Sequence, residues 1–517
     1  MGKSKGAVAP SISTKLPRSS GVLLHVTSLP GSHGIGDLGP DAFRWLEMLA
    51  AAKQSWWQML PLGPPGAGNS PYQCFSAFAG NPLLISPDAL VADGLLDRSD
   101  LPTDRAPTGP VNYDKVERQK TALLIRAFDR FRTPTKQRKW APLAQRFRKG
   151  NASWLDDLAL FMALREAHDG QSWTQWSAEL MRRRPAALAE AKRTLAARIE
   201  YHAFLQFLFY RQLDALRDRA RRLGVKLIGD LPIFVSADSA DVWANPHLFQ
   251  LDRELRPKAV AGCPPDAFCG TGQLWGNPLY DWRAAERDGY AWWVARLRAS
   301  LRQADLVRLD HFRGFEAYWR VPVGDATAEH GTWTKGPGPA LFEAFRDEIG
   351  SLPLIAEDLG VITPAVERLR DRFELPGMRI VQFGFGDDAA NPHLPHNYVP
   401  NAVTYPGTHD NDTSVGWYRS LDANQKSGYE RYTGQQTGRD VAWQLIRLAW
   451  SSVASLAVAP LQDVMSLPSS ARMNQPGTGT GNWRWRLSDF DAAEAGMERL
   501  GELTETFGRS ASSPQHE

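Results

Sequence analysis

The stretch HAFLQFLFYRQLDALRDRARRLGVKLIGD, residues 202–230, decides the fold class. Phe204, Phe207, Leu208 and Leu216 recur at helical spacing, and Gly224 stands where a helix commonly ends in the left-handed region. Val225-Lys226-Leu227-Ile228-Gly229 then reads as a short apolar strand closing on Asp230. The same ending recurs downstream in Leu306-Val307-Arg308-Leu309-Asp310, in Pro353-Leu354-Ile355-Ala356-Glu357, and in Val403-Thr404-Tyr405-Pro406-Gly407-Thr408-His409-Asp410. Strands alternating with helices predict an α/β fold with a parallel sheet. In a closed (β/α)8 TIM barrel, acids at strand C-termini open onto one mouth, where barrel enzymes keep their chemistry. The intervals between Asp310, Glu357 and Asp410 each accommodate one or two strand–helix units. An open doubly wound sheet is the competing architecture, disfavoured because no GxGxxG follows an early strand.

Away from these strands the text changes. Residues 84–200 are helical in pattern and rich in Arg and Ala, which predicts a helical insertion; Ser153, three residues before Asp156, marks an expected helix start. Residues 243–281 are dense in Pro, Gly and aromatics, as expected of a loop excursion over the barrel mouth. The remaining expectations are a flexible N-terminal tail over 1–20, a catalytic barrel over 21–500 and a C-terminal tail over 501–517.

A formal net charge of +3 with 23% charged residues is too even to imply nucleic acid or a membrane surface as partner. The basic run from Lys115 to Lys149 reads as the solvated face of amphipathic helix. No run of eighteen apolar residues occurs, so no membrane span is expected. Three cysteines, Cys74, Cys263 and Cys269, are too few and too irregularly spaced for a disulfide framework or a zinc site. No metal or cofactor is expected. The first twenty residues lack an apolar core, which argues against secretion and for a cytoplasmic location. Trp56, Trp57, Trp243, Trp275, Trp333, Trp483 and Trp485 sit in Gly/Pro-rich contexts, and exposed rings of this kind match the C–H faces of sugars.

Acids gathered at one mouth suit glycoside chemistry, in which one carboxylate attacks the anomeric carbon and a second, protonated carboxyl serves the leaving oxygen. Arg308 lies two positions before Asp310, on the same face of a strand, and is expected to hold it ionised as a nucleophile requires. Glu357 follows an apolar run that favours its protonated form, as a general acid requires. His409 and Asp410 are placed to hydrogen-bond adjacent sugar hydroxyls. Asp230 is a further strand-end acid for sugar contact, Trp275 a ring for stacking on glucose, and Asn482 a sugar hydrogen-bonder. Arg313 is expected in a rim ion pair; His25 divides evenly between core and subsite roles.

Eight blocks appear in order across roughly residues 20 to 490: GVLLHVTSLP, WWQMLPLGPPGAGNSPYQCFSAFAGNP, GDLPIFV, PPDAFCGTGQLWGNPLYDW, RLDHFRGF, IAEDLG, TYPGTHDND and ARMNQPGTGTGNWRWRL. Together they resemble the amylomaltase, or disproportionating-enzyme, family of 4-α-glucanotransferases. The resemblance implies an α-amylase-clan barrel that moves segments of maltooligosaccharides, amylose or other α-1,4-glucans, with Asp310 as nucleophile, Glu357 as general acid/base and Asp410 as transition-state stabiliser. It places Ser70, Tyr72, Asp230, Gln273, Trp275, Arg308, His409 and Asn482 at glucan-binding positions. Members often carry Tyr and Asp where this chain has Ala67 and Asn69, which puts a secondary glucan contact there in question. Val26 and the two later cysteines also depart from the usual residues; none touches the three acids. Spacing alone leaves transferase and hydrolase open, since both form the same glycosyl-enzyme, and a non-catalytic glycan-binding protein is the third reading. Transfer is what the resemblance adds.

Overall fold

A computed structural model describes residues 16–102, 108–265, 270–386, 388–434 and 439–510. In chain order the strands are β1 (Ser19–Leu23), β2 (Trp56–Gln58), β3 (Lys226–Leu231), β4 (Ala259–Cys263), β5 (Gln273–Pro278), β6 (Leu306–Leu309), β7 (Ala317–Pro322), β8 (Thr332–Lys335), β9 (Leu354–Ala356), β10 (Gly377–Ile380), β11 (Ala402–Tyr405) and β12 (Leu456–Pro460). Eight of them close a barrel in the order β1-β12-β11-β10-β9-β6-β3-β2, every neighbouring pair parallel. This is the (β/α)8 architecture the strand endings predict, and it excludes the open sheet.

Alternation along the strands explains why they read as continuous apolar runs. Leu306 faces the barrel interior with Ile228, Ile355, Met378, Val403 and Leu456, while Val307 and Leu309 face the helical layer outside. Both faces are buried, so both must be apolar. Arg308 breaks this rule on the inward face, and its register partner in β3 is Asp230. The stretch that decides the fold behaves as read: helix Ala196–Arg222 ends at Gly224, whose φ of 72° is left-handed, and β3 follows.

The segment between β2 and β3 is largely helical, with Tyr113–Phe131, Pro134–Gly150 and Ala152–Ala167 packed on Ala196–Arg222. Phe128, Phe131 and Phe204 form the heart of that contact, Phe131 and Phe204 at a centroid distance of 4.6 Å. Two expectations are corrected here. Ser153 lies inside a helix that begins at Ala152, directly after the preceding helix ends at Gly150. The basic run is not wholly solvated either: Lys120 turns inward, 1% exposed, and donates to Asp37 and to the Leu83 and Ile85 carbonyls.

The 243–281 excursion carries more regular structure than a loop. Its strands β4 and β5 join β7 and β8, from beyond β6, in an antiparallel sheet of order β5-β4-β7-β8. Pairing of segments so far apart leaves no local signal. Of the tryptophans singled out as loop rings, Trp56, Trp57, Trp243 and Trp483 are buried, and Trp333 is exposed.

The chain ends are also more engaged than expected. Ser19 and Ser20 belong to β1, and the rest of the expected N-terminal tail up to residue 15 lies outside the described residues. Helix Asp491–Thr506 runs through the start of the expected C-terminal tail. Arg509 beyond it is fully buried, donating to the Ser19, Trp450 and Ser452 carbonyls; residues 511–517 lie outside the described residues. Among the described residues no helix is long and apolar enough to cross a membrane.

Candidate active site

The acids leave the barrel at one end. Asp230 is the penultimate residue of β3, Asp310 directly follows β6, Glu357 directly follows β9, and Asp410 stands in the loop after β11. A cleft of about 320 Å³ opens above them, lined among others by Ser70, Tyr72, Gln273, Trp275, Asp310, Asp410 and Asn482. Asp230, Arg308 and His409 form a buried polar floor at 8%, 3% and 5% exposure.

Arg308 organises that floor. Its Nη1 donates to both Asp230 oxygens at 2.9 and 2.8 Å and to Asp310 Oδ1 at 3.0 Å. Tyr72 extends the chain, its hydroxyl 2.8 Å from Asp230 Oδ2 and 2.8 Å from His409 Nε2. An ionised Asp230 only accepts, so the tyrosine proton goes to it and the tyrosine oxygen accepts from His409 Nε2–H. Burial keeps the His409 imidazole below its ordinary pKa, consistent with a neutral ring in that tautomer. The same Nε2 lies 3.3 Å from Asp410 Oδ2. One polar chain thus runs from Asp310 through Arg308, Asp230, Tyr72 and His409 to Asp410.

Glu357 is held by backbone rather than by charge. Its Oε2 accepts the His311 N–H at 2.5 Å and its Oε1 the Leu359 N–H at 3.3 Å, while its own N–H donates to the Leu309 carbonyl at 3.1 Å. Burial raises its pKa to about 8, opposed by Arg308 and reinforced by Asp310. The apolar run before it therefore has the expected effect. Asp310 differs from expectation. Burial raises its pKa to about 7, and Arg308 only opposes that rise, because the same guanidinium is shared with Asp230 while Asp230 and Asp410 add negative charge. Asp310 has the Arg308 guanidinium in contact to favour its ionised form, whereas Glu357 has only backbone N–H groups.

Asp410 is more open, its side chain 41% exposed, with Oδ1 accepting from Asn474 Nδ2 at 2.6 Å and its carbonyl from Arg472 at 2.6 Å. Sequence reasoning did not single out Asn474 or Arg472; both lie in the ARMNQPG block, but nothing in their spacing ties them to residue 410. Across the cleft Trp275 is half-buried on β5, its indole N–H donating to Gln273 at 3.2 Å. Gln73 hydrogen-bonds Asn277 at 3.2 Å and so joins the loop after β2 to the excursion sheet. Ser70 Oγ accepts the Tyr72 N–H at 3.2 Å and shapes that loop.

Other residues of the site region have partners that the sequence did not specify. The Asn482 amide is used within its own loop, accepting from Gln475 N–H at 3.0 Å and donating to the Thr478 carbonyl at 3.0 Å. Arg313, expected in an ion pair, instead donates to the Val361 carbonyl and lies 3.4 Å over the Trp333 ring. His25 is 7% exposed, behind His409 rather than on the cleft wall. Cys74 is a packing residue whose thiol donates to the Pro71 carbonyl at 2.9 Å, with burial pushing its pKa up to about 12. Cys269 lies outside the described residues.

Comparison with known proteins gives this arrangement its relatives. The family model described as 4-alpha-glucanotransferase matches residues 24–492. The chain is 49% identical to a 4-alpha-glucanotransferase of Synechocystis sp., over 95% of this chain and 98% of the relative. It is 48% identical to that of Thermus thermophilus, over 96% and 100%. The solved structure of an amylomaltase from Streptococcus agalactiae, in complex with acarbose, superposes with a TM-score of 0.91 at 37% identity, over 95% of this chain and all of that one. The chain belongs to the 4-alpha-glucanotransferase family, whose members are glucan-transglycosylating enzymes.

Proposed function

We propose that the protein disproportionates maltooligosaccharides, moving an α-1,4-glucan segment from a donor to the 4-hydroxyl of glucose or another glucan by a retaining double displacement. Asp310 attacks the anomeric carbon while Glu357 gives its proton to the departing O4, so one glycosidic bond breaks as the glycosyl-Asp310 ester forms. Glu357, now ionised, takes the proton of an incoming 4-hydroxyl. That oxygen attacks the anomeric carbon, and Asp310 leaves as carboxylate. Asp410, with His409 beside it, accepts hydrogen bonds from sugar hydroxyls that tighten as the ring flattens. Trp275 offers a face for stacking, and Ser70, Tyr72 and Gln273 line the path of the chain.

The observation that carries the reading is the pairing of two unlike carboxyls at one mouth: Asp310 on Arg308, Glu357 on backbone N–H groups after an apolar strand. Maltooligosaccharides, amylose or other α-1,4-glucans are the substrate class. A cytoplasmic site of action is consistent with the sparse cysteines. Maltotriose supplied alone tests the proposal, because transfer produces glucose and longer chains together, whereas hydrolysis raises the number of reducing ends.

A further inference from the structure

His311 follows Asp310 directly and adopts the left-handed conformation, φ 50° and ψ 50°, which is uncommon for a residue with a side chain. Its two halves meet different residues of the site. The backbone N–H meets Glu357 Oε2 at 2.5 Å. The ring stands edge-on to Trp275, at a centroid distance of 4.8 Å and an interplanar angle of 89°.

The seat of the ring is specified from below. A Cβ on Gly314 would come within 2.7 Å of Ile233 Cδ1 and 3.0 Å of His311 Cδ2, so the glycine lets the imidazole sit close against the turn. The turn is closed by the Gly314 N–H on the His311 carbonyl at 2.8 Å and laced to the Glu357 loop by the Phe312 N–H on the Glu357 carbonyl at 3.1 Å. Arg313 adds its bond to the Val361 carbonyl. The imidazole Nε2 is buried without a hydrogen-bond partner, so what fixes the ring is contact with Trp275 and Gly314 rather than polar bonding.

We infer that His311 is a positioning residue with a divided role: its left-handed backbone aims an N–H at the general acid Glu357, and its ring braces Trp275, so that a glucan stacking on the indole also presses the turn that holds the acid. The inference rests on the transglycosylase reading given above.

Substitutions separate the two halves. His311→Gly and His311→Asn both tolerate the left-handed region but remove the imidazole. His311→Val disfavours that region and so moves the N–H away from Glu357. A carboxylate that loses an N–H donor is harder to ionise, so the alkaline limb of kcat/KM moves to higher pH in His311→Val and kcat falls. In His311→Gly and His311→Asn the limb stays in place while KM for maltotriose rises by about threefold to tenfold, the range of a lost ring–ring contact. Because the ring acts through the indole, adding His311→Gly to Trp275→Ala raises KM by less than about twofold beyond Trp275→Ala alone. His311→Ala, with a milder left-handed penalty, carries the backbone comparison if the valine variant does not fold. A limb that moves equally in the glycine and valine variants overturns the backbone half. KM increases that multiply in the double variant overturn the bracing half. A parent protein that fails to redistribute maltotriose is a different outcome, and it removes the underlying reading instead.

Discussion

Tyr72 and His409 meet twice: their rings stack at 5.5 Å with an interplanar angle of 11°, and the tyrosine hydroxyl lies 2.8 Å from His409 Nε2. That oxygen also serves Asp230 Oδ2, so a single hydroxyl sets the charge acceptor on one side and the imidazole tautomer on the other. Tyr72→Phe keeps the stack and deletes only the hydroxyl. Buried Asp230 then loses a donor and the His409 N–H an acceptor. We expect kcat/KM on maltotriose to fall by about 10- to 100-fold, with folding retained by circular dichroism. A change under twofold would remove the hydroxyl from the account.

The pH profile follows from two raised carboxyls. In the proposed mechanism Asp310 acts ionised and Glu357 protonated, so activity is expected to fall as pH drops through about 7 and as it rises beyond about 8. The two limbs belong to the pair. Asp230→Asn removes a negative charge that opposes ionisation of Asp310 and frees Arg308 for it. The acid limb should move to lower pH by about one unit, whatever happens to KM. A limb that stays or rises would show that Asp230 does not compete for Arg308.

These competitions explain how far the sequence could be read. The acids at the ends of β3, β6 and β9 were legible because strand and acid are contiguous, and Arg308 because residues two apart share a face. The raised pKa of Asp310 was not, since its main cause is burial at the closed barrel mouth, and the guanidinium that opposes the rise is shared with Asp230 from a different strand. Asn474 holding Asp410 and the sheet joining β4 to β7 are likewise products of closure, with no local pattern to announce them. Asn482 lines the cleft as its loop context suggests, and its bonds to Gln475 and Thr478 within that loop carry no local pattern either.

Lys120 and Asp37 form a buried pair, 2.8 Å apart with side-chain exposures of 1% and 8%. Lys120→Met leaves the carboxylate and the Leu83 and Ile85 carbonyls without their shared donor. A loss of about 3–5 kcal/mol in chemical unfolding is expected, and a smaller one when Asp37→Leu is added. Equal losses in the single and double variants would mean that the pair is not coupled.

Asp463 is 1% exposed, accepts the Ser414 N–H at 2.7 Å, and has its pKa raised to about 7 by burial. A raised carboxyl pKa contributes stability that is full below about pH 4 and lost as pH rises through the folded value. Asp463→Asn mimics the protonated form. It should stabilise the protein at pH 8 by on the order of 1–3 kcal/mol relative to its effect at pH 5. An equal effect at both pH values in thermal unfolding would contradict this reading of the group.

The central claim is that the Asp310–Glu357 pair passes glucan to a sugar hydroxyl, and the products formed from maltotriose test it most directly. The account predicts glucose together with chains longer than maltotriose, a nearly constant number of reducing ends, and loss of both products by more than about a thousandfold in Asp310→Ala. Reducing ends that climb without longer chains, or turnover that survives Asp310→Ala, would contradict it.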